Sequence, residues 1–311
     1  MTTLTAAGEE ILLEGFRRAN PEFFKKDDAL LFRHLGIVLS LLALSSAGGI
    51  TAPGFALNAG FGTLSAFFWF SLINVTIHHH HTHRNAAKSE FAKKVLDFLY
   101  LISMPSAPKR LNRYTRAHLN HHARPFHETD VDHHYGTERY LAMRGKPLDR
   151  VFFFLELTFV GAHVPGWDDD RYMNQVPLEA WSRDGYRQVK AGEIRLARRT
   201  ALWQWALFGA AAWFLPALAW GWAFPMLLVK NWAHYLGQFQ HYDGRLLEAN
   251  RSAWTRTKTF RVPAWFNYLA GGEISGHFIH HLFPEIPYYR VERARQRFLK
   301  DPQLAAVFAI Y

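Results

Sequence analysis

Between Leu35 and Ile77 no residue carries a formal charge. The run is about twice the ~20 residues an α-helix needs to cross a bilayer. Its middle reads GGITAPG, Gly48 to Gly54, a glycine–proline turn signal. The pattern predicts two transmembrane helices in a tight hairpin. A second run, Ala201 to Tyr242, carries only Lys230 and is broken by Pro216, Gly221 and Pro225. It too is about twice the ~20-residue span and predicts a second hairpin. The competing reading is a set of buried helices in a soluble protein, but such helices rarely run so far without charge.

Cations flank these runs. Arg17, Arg18, Lys25, Lys26 and Arg33 precede the first, Arg84, Lys88, Lys93, Lys94, Lys109, Arg110, Arg113 and Arg116 follow it, and Arg195, Arg198 and Arg199 lead into the second. Neither hairpin tip is charged. The positive-inside rule then places both termini and the middle segment in the cytoplasm, of a bacterial inner membrane or its equivalent. Most of the net charge of +10 is this asymmetry. Nucleic acid is not an expected partner, because the cations border spans and form no separate basic domain. The polar, acidic start is not expected to be a cleaved signal peptide.

The expected organisation is one domain over residues 1–311. Residues 1–34 are an amphipathic cytosolic lead-in, 35–83 the first hairpin and its extension, and 84–200 a cytosolic or interfacial segment. Residues 201–242 are the second hairpin and 243–311 a cytosolic tail. Within the middle segment, Lys94 to Pro105 and Val151 to His163 are apolar but short or interrupted by Asp97 and Glu156. They suit helices lying in the interface.

The chain has 18 histidines and no cysteine. Disulfides, thiolate zinc sites and Cys-ligated clusters are excluded, so any metal is held by nitrogen and oxygen. The histidines cluster in four places: HHHHTH (His78 to His83), HLNHH (His118 to His122), the span end containing His234 and His241, and HFIHH (His277 to His281). On a helix, positions i, i+3 and i+4 share a face. His118, His121 and His122 fit that spacing, as do His277, His280 and His281, and His79 with His83 are an i, i+4 pair. Hairpin topology returns all four clusters to one side of the membrane.

So many imidazoles exceed the four ligands of one zinc and suit two metal ions, iron among the candidates. Glu128, Asp130, Asp132, Asp243 and Glu273 are carboxylates that can accept the other ring N–H of ligating histidines. In the first cluster His79 with His83 is the preferred pair, and His78, at a spacing of five, is its rival. His80 and His81 point elsewhere on a regular helix, either behind the ligands, supporting them, or solvated. His34, His127, His133, His134 and His163 read as structural or surface residues, and His234 as bundle packing. The Trp and Phe stripes read as core and interfacial-belt aromatics.

The pattern resembles the membrane fatty acid desaturase and hydroxylase superfamily. Its three histidine boxes correspond here to His79–His83, His118–His122 and His277–His281. The third continues HHLFPEIPYY, and Asn267, Gly271 and Gly272 match an upstream N-x-x-x-G-G. Gln240–His241 matches a further histidine near the end of the fourth span. Glu273 departs from the pattern, which often has Leu there, and so does Ile279, where an acidic residue is common. The resemblance implies an all-α integral membrane fold, four transmembrane helices in two hairpins capped by a cytosolic helical domain.

It also implies a non-haem di-iron centre using O2. The ligands expected are His79, His83, His118, His121, His122, His241, His277, His280 and His281, with Asp130, Asp132 and Asn267 supporting them from behind. No catalytic role is assigned beyond the ligands. The expected activity is fatty acyl desaturation or hydroxylation. The alternatives are oxidative decarboxylation of a fatty acid to a terminal alkene and hydroxylation of a carotenoid or other hydrophobic small molecule. A membrane metal-binding or transport protein is the alternative of another class. Expected partners are an acyl or lipid-like substrate, membrane lipid and a separate electron-transfer protein of ferredoxin, rubredoxin or cytochrome b5 type.

Overall fold

A computed structural model describes residues 6–103, 118, 119, 121, 122, 145–156, 206, 209–224, 257 and 259–308. These residues are mostly helical, and no strand occurs among them. Helix α1 (Ala6–Ala19) and a short 3₁₀ turn, Pro21–Phe24, lead into α2 (Asp28–Thr51). Helix α2 begins earlier than the charge-free run does. The reason is Asp27, whose carboxylate accepts from Ala29 N–H and Leu30 N–H and caps the first turn. The chain turns at Gly54, whose φ of 91° is a conformation only glycine adopts easily. Helix α3 (Phe55–Trp69) then returns antiparallel to α2.

Both α2 and the helix running from Phe55 to Ile77 are long and apolar enough to cross a membrane. At 1.5 Å per residue the 24 residues of α2 extend about 36 Å, against about 30 Å of hydrocarbon. Inside the hairpin, Asn58 Nδ2 donates to Gly49 C=O at 2.9 Å and Ser65 Oγ to Ser45 Oγ at 3.0 Å. Of the second predicted hairpin, residues 209–224 are described. They are helical and turn at Pro216 into a wider winding, Ala217–Ala223, that packs on α3 and α2. Four spans are therefore not established by the described residues.

Helix α3 runs without a break into a second wide, π-type winding, Phe70–His80. Such i→i+5 segments are rare and gather at functional sites. The winding ends at His80, and the chain turns at Arg84, whose φ is a positive 51°. Helices α4 (Glu90–Ser103) and α5 (Pro147–Glu156) follow. Both leave apolar side chains exposed, Phe91 and Phe98 on α4 and Leu148, Val151 and Phe152 on α5.

Four C-terminal helices, α6 (Ala264–Leu269), α7 (Glu273–Leu282), α8 (Tyr288–Phe298) and α9 (Pro302–Phe308), form a layer, the cap, a name that implies no side of a membrane. Helix α1 closes over it. Phe16 and Phe23 pack with Phe278, Phe283, Val291 and Phe298 in one buried cluster.

The FPEIPYY stretch ties cap to hairpin. Asn85 Nδ2 donates to Pro284 C=O at 2.6 Å and Ile286 C=O at 3.1 Å. Tyr289 Oη accepts from Asp27 N–H at 2.7 Å and donates to Ala86 C=O at 3.1 Å. His34, buried in α2, donates from Nε2 to Tyr268 C=O at 2.9 Å, which leaves Nδ1 to accept from Tyr288 Oη at 3.0 Å. The cap is thus pinned to the span by partners that can be satisfied in one way only.

Candidate metal centre

Helix α7 starts at an unusual place. Gly272 has φ of 78°, and a Cβ there would lie 2.8 Å from Tyr288 C=O. The left-handed turn and the close backbone together demand glycine. They set Glu273 in the first turn of α7 and send His277, His280 and His281 along its buried side. The i, i+4 pair on this helix closes tightly, with His281 Nε2 3.1 Å from His277 Nε2.

From the other side come the histidines at the end of the π-type winding and just after it, with those of residues 118–122. His83 Nε2 lies 3.0 Å from His118 Nε2. His79 packs edge-on to His118 and His280, with ring centroids 4.3 and 4.4 Å apart. His122 joins the two sides: its ring is 4.4 Å from His83, 4.7 Å from His280 and 4.2 Å from His281. His121 stands 5.0 Å from His281. Ligand atoms of His79, His83, His118, His122 and His280 all fall within 4.8 Å of one another. A second such group is His79, His80 and Glu273.

Burial makes six of these rings bases rather than cations. The imidazoles of His83, His122, His280 and His281 are held well below the ordinary histidine range, first by burial and then by their neighbouring imidazoles. His277 is lowered by burial against the pull of Glu273. His80 falls to about 4 for the same reasons. A neutral imidazole is the form that binds metal. For Glu273 burial opposes ionisation, but the adjacent His79 and His277 and their hydrogen bonds outweigh it and hold the carboxyl well below its usual range.

The donor set fits a metal. His79 Nε2 and both ring nitrogens of His122 and His280 are buried without a hydrogen-bond partner. An unmet buried polar group costs about 1–3 kcal/mol, and here several point at one another. Ligands at right angles on a metal with ~2.1 Å bonds stand ~3.0 Å apart, close to the two Nε2 pairs above. Cations among these nitrogens would remove the deficit.

The family model for fatty acid desaturases matches residues 53–308. The chain belongs to the fatty acid desaturase family. No curated protein matches it. Membership makes the chain an oxidoreductase of a membrane-associated, iron-using family that acts on lipid with an electron donor.

Of the residues expected as ligands, the desaturase fold gathers His79, His83, His118, His121, His122, His277, His280 and His281. His241, Asp130 and Asp132 lie outside the described residues, as do His127, His133, His134, His163 and His234. The rival His78 is described in its backbone alone. Asn267 is buried and braces the turn: its Nδ2 donates to Glu292 at 2.6 Å and its Oδ1 accepts from Ser275 N–H at 2.9 Å.

Of the two places expected for His80 and His81, behind the ligands or solvated, the structure has both side chains buried, on Glu273 at 3.2 Å and on Asp97 at 2.7 Å. Regular 3.6-residue periodicity turns them away from His79, and the π-type winding brings His80 round. Nothing in the histidine run itself signals that winding.

Proposed function

We propose that the chain is an O2-dependent di-iron oxidoreductase that removes hydrogen from unactivated C–H bonds of a fatty acyl chain or similar lipid, desaturating or hydroxylating it. The observation that carries this reading is the meeting of His79, His83, His118, His122 and His280, from separate parts of the chain, with ligand atoms within 4.8 Å. These five would hold one iron. His121, His277 and His281, with His241 by the family motif, would hold the second. Bound iron would supply the oxidation of a C–H bond that no side chain can attack.

The protein's own part is to prepare the place. The neutral rings of His83, His122, His280 and His281 present lone pairs without first losing a proton. Burial of His280 and His121 excludes bulk water. Glu273 accepts hydrogen bonds from the outward nitrogens. The clamp of His34, Tyr268 and Tyr288 fixes the cluster against α2, so that an acyl chain entering from the bilayer meets it at one height. Both termini and the site face the cytoplasm, where Lys25, Lys26, Arg84, Lys88, Lys93 and Lys94 suit an acidic ferredoxin, rubredoxin or cytochrome b5-type donor.

The test is to express the chain in a host with a defined lipid complement, profile lipids and volatiles by mass spectrometry, and measure metal in the purified protein. The expected result is iron in the protein and a new unsaturated or hydroxylated acyl chain. A terminal alkene or a hydroxylated carotenoid would reassign the substrate or outcome on the same centre. Trace iron together with zinc movement across vesicles would overturn the enzyme reading in favour of transport.

A further inference from the structure

We propose that Glu273 is a positioning residue of this centre: its carboxylate takes the Nδ1–H of both His79 and His277 and thereby turns Nε2 of each ring inward as a ligand. The inference rests on the di-iron reading above and concerns a residue at which this chain departs from the family pattern.

The geometry is that of one acceptor shared between two ligands. Glu273 Oε1 lies 3.2 Å from His79 Nδ1 and is also hydrogen-bonded by His277 Nδ1. The other oxygen, Oε2, lies 3.2 Å from His80 Nε2. An ionised carboxylate only accepts hydrogen bonds, so each nitrogen facing it carries the proton. In a neutral imidazole the opposite nitrogen then holds the lone pair.

For His79 that nitrogen is Nε2, buried without a hydrogen-bond partner, in a ring packed on His118 and His280. For His277 it is Nε2, which is 3.1 Å from His281 Nε2. Both lone pairs therefore point into the histidine cluster. One of these rings belongs to the segment after α3 and the other to α7, so a single side chain sets ring orientation on two elements at once.

The position is built for an anion. Glu273 occupies the first turn of α7, where the helix N-terminus favours negative charge. It is 7% exposed. A carboxylate so deep is tolerable only when paired, and leucine in its place would leave the Nδ1–H groups of His79 and His277 without this acceptor. The same carboxylate sorts the histidine run, since it engages His80 through Nε2 while His79 keeps Nε2 for the cluster.

The experiment compares Glu273→Leu and Glu273→Gln with the unsubstituted protein, purified in detergent and loaded with ferrous iron. Iron affinity is read by chelator competition and the coordination shell by X-ray absorption. Glu273→Leu is expected to weaken iron about 10–100-fold, the range for losing a carboxylate behind a histidine ligand. Glu273→Gln keeps one acceptor oxygen for the two Nδ1–H groups and should restore affinity to within about 10-fold, with an unchanged number of nitrogen neighbours.

Should the leucine variant not fold, the isosteric glutamine variant still decides, with a loss of about 3-fold to 10-fold expected. Unchanged affinity in every variant that folds would overturn the inference. So would loss of an oxygen neighbour of iron in Glu273→Gln, because Glu273 would then be a ligand. If the unsubstituted protein binds no iron, the di-iron reading fails and this inference falls with it. If it binds iron and the variants bind equally, the inference alone fails.

Discussion

Along α2 and α3 the side chains turned outward include Leu44, Ile50, Phe55, Leu57 and Leu64, while Ser45, Asn58 and Ser65 are buried between the helices. In the cap the arrangement is the reverse. Phe278, Phe283 and Phe298 are buried, and Arg293 and Arg297 on α8 face outward. The difference is the one expected if the hairpin faces lipid and the C-terminal helices face water. Apolar side chains around a polar seam are at rest in lipid, where helices associate through packing and hydrogen bonds. A phenylalanine core under a charged helix is the product of the hydrophobic effect in water. The histidine cluster lies between the two regions, where, on the function proposed above, a lipid chain and a water-borne electron carrier would both reach it.

The sharpest way to break this contrast is at the boundary itself. His280→Ala should reduce bound iron and turnover by at least about 100-fold, with insertion into the membrane unchanged. Metal analysis and product assay on the same preparation read both effects. A normal iron content would show that the ligand assignment is wrong at that position.

Next in size, a charge placed at the middle of α2 should act differently from one placed on the cap. Leu39→Arg should disfavour insertion by about 2.5–3.5 kcal/mol, read in a translocon insertion assay. Gln296→Arg, on the exposed face of α8, should change stability by less than about 0.5 kcal/mol. Equal tolerance of the two would abolish the distinction between lipid and water.

Acid should affect the cluster before the hairpin. His80 in the folded protein takes its proton only near about 4, whereas an unfolded histidine takes it near about 6.5. Between those values the unfolded chain binds more protons, so stability falls as pH falls through that window and is flat above it. The slope from this one group approaches ~1.4 kcal/mol per pH unit. His83, His122, His280 and His281 are shifted in the same direction and add to it. Thermal unfolding of the metal-free protein at pH 7.5 and pH 5 measures the loss.

The smallest effect belongs to the polar seam. Asn58→Ala removes the hydrogen bond to Gly49 C=O and should cost about 0.6 kcal/mol, the average for such bonds between membrane helices. Unfolding in mixed micelles is sensitive enough to read it.

Several of these features can be read in the letters of the chain, and others cannot. The turn at Gly54 follows from glycine and proline in a run without charge. The i, i+4 and i, i+3, i+4 spacings bring His79, His118, His277 and their neighbours to shared faces because helical geometry is local. Glu273 is recognisable as a carboxylate near the third cluster. Its bond to His80, which no spacing rule connects to it, depends on the tertiary approach of α7 to the segment after α3. His81 reaching Asp97 is of the same kind. The bracing role of Asn267 depends on where α8 crosses α6, which is again a property of packing and not of periodicity.

The wide winding at Phe70–His80 has a consequence for how this protein can vary. A π-type turn takes up more chain per revolution than an α-turn, so neighbours in sequence fan out over a smaller angle. That is how consecutive imidazoles, His79 and His80, come to flank one carboxylate. Single replacements upstream leave this indexing untouched. Inserting or deleting one residue there would rotate the whole run and hand each histidine's position to the next, so the length of this segment is constrained more tightly than its composition.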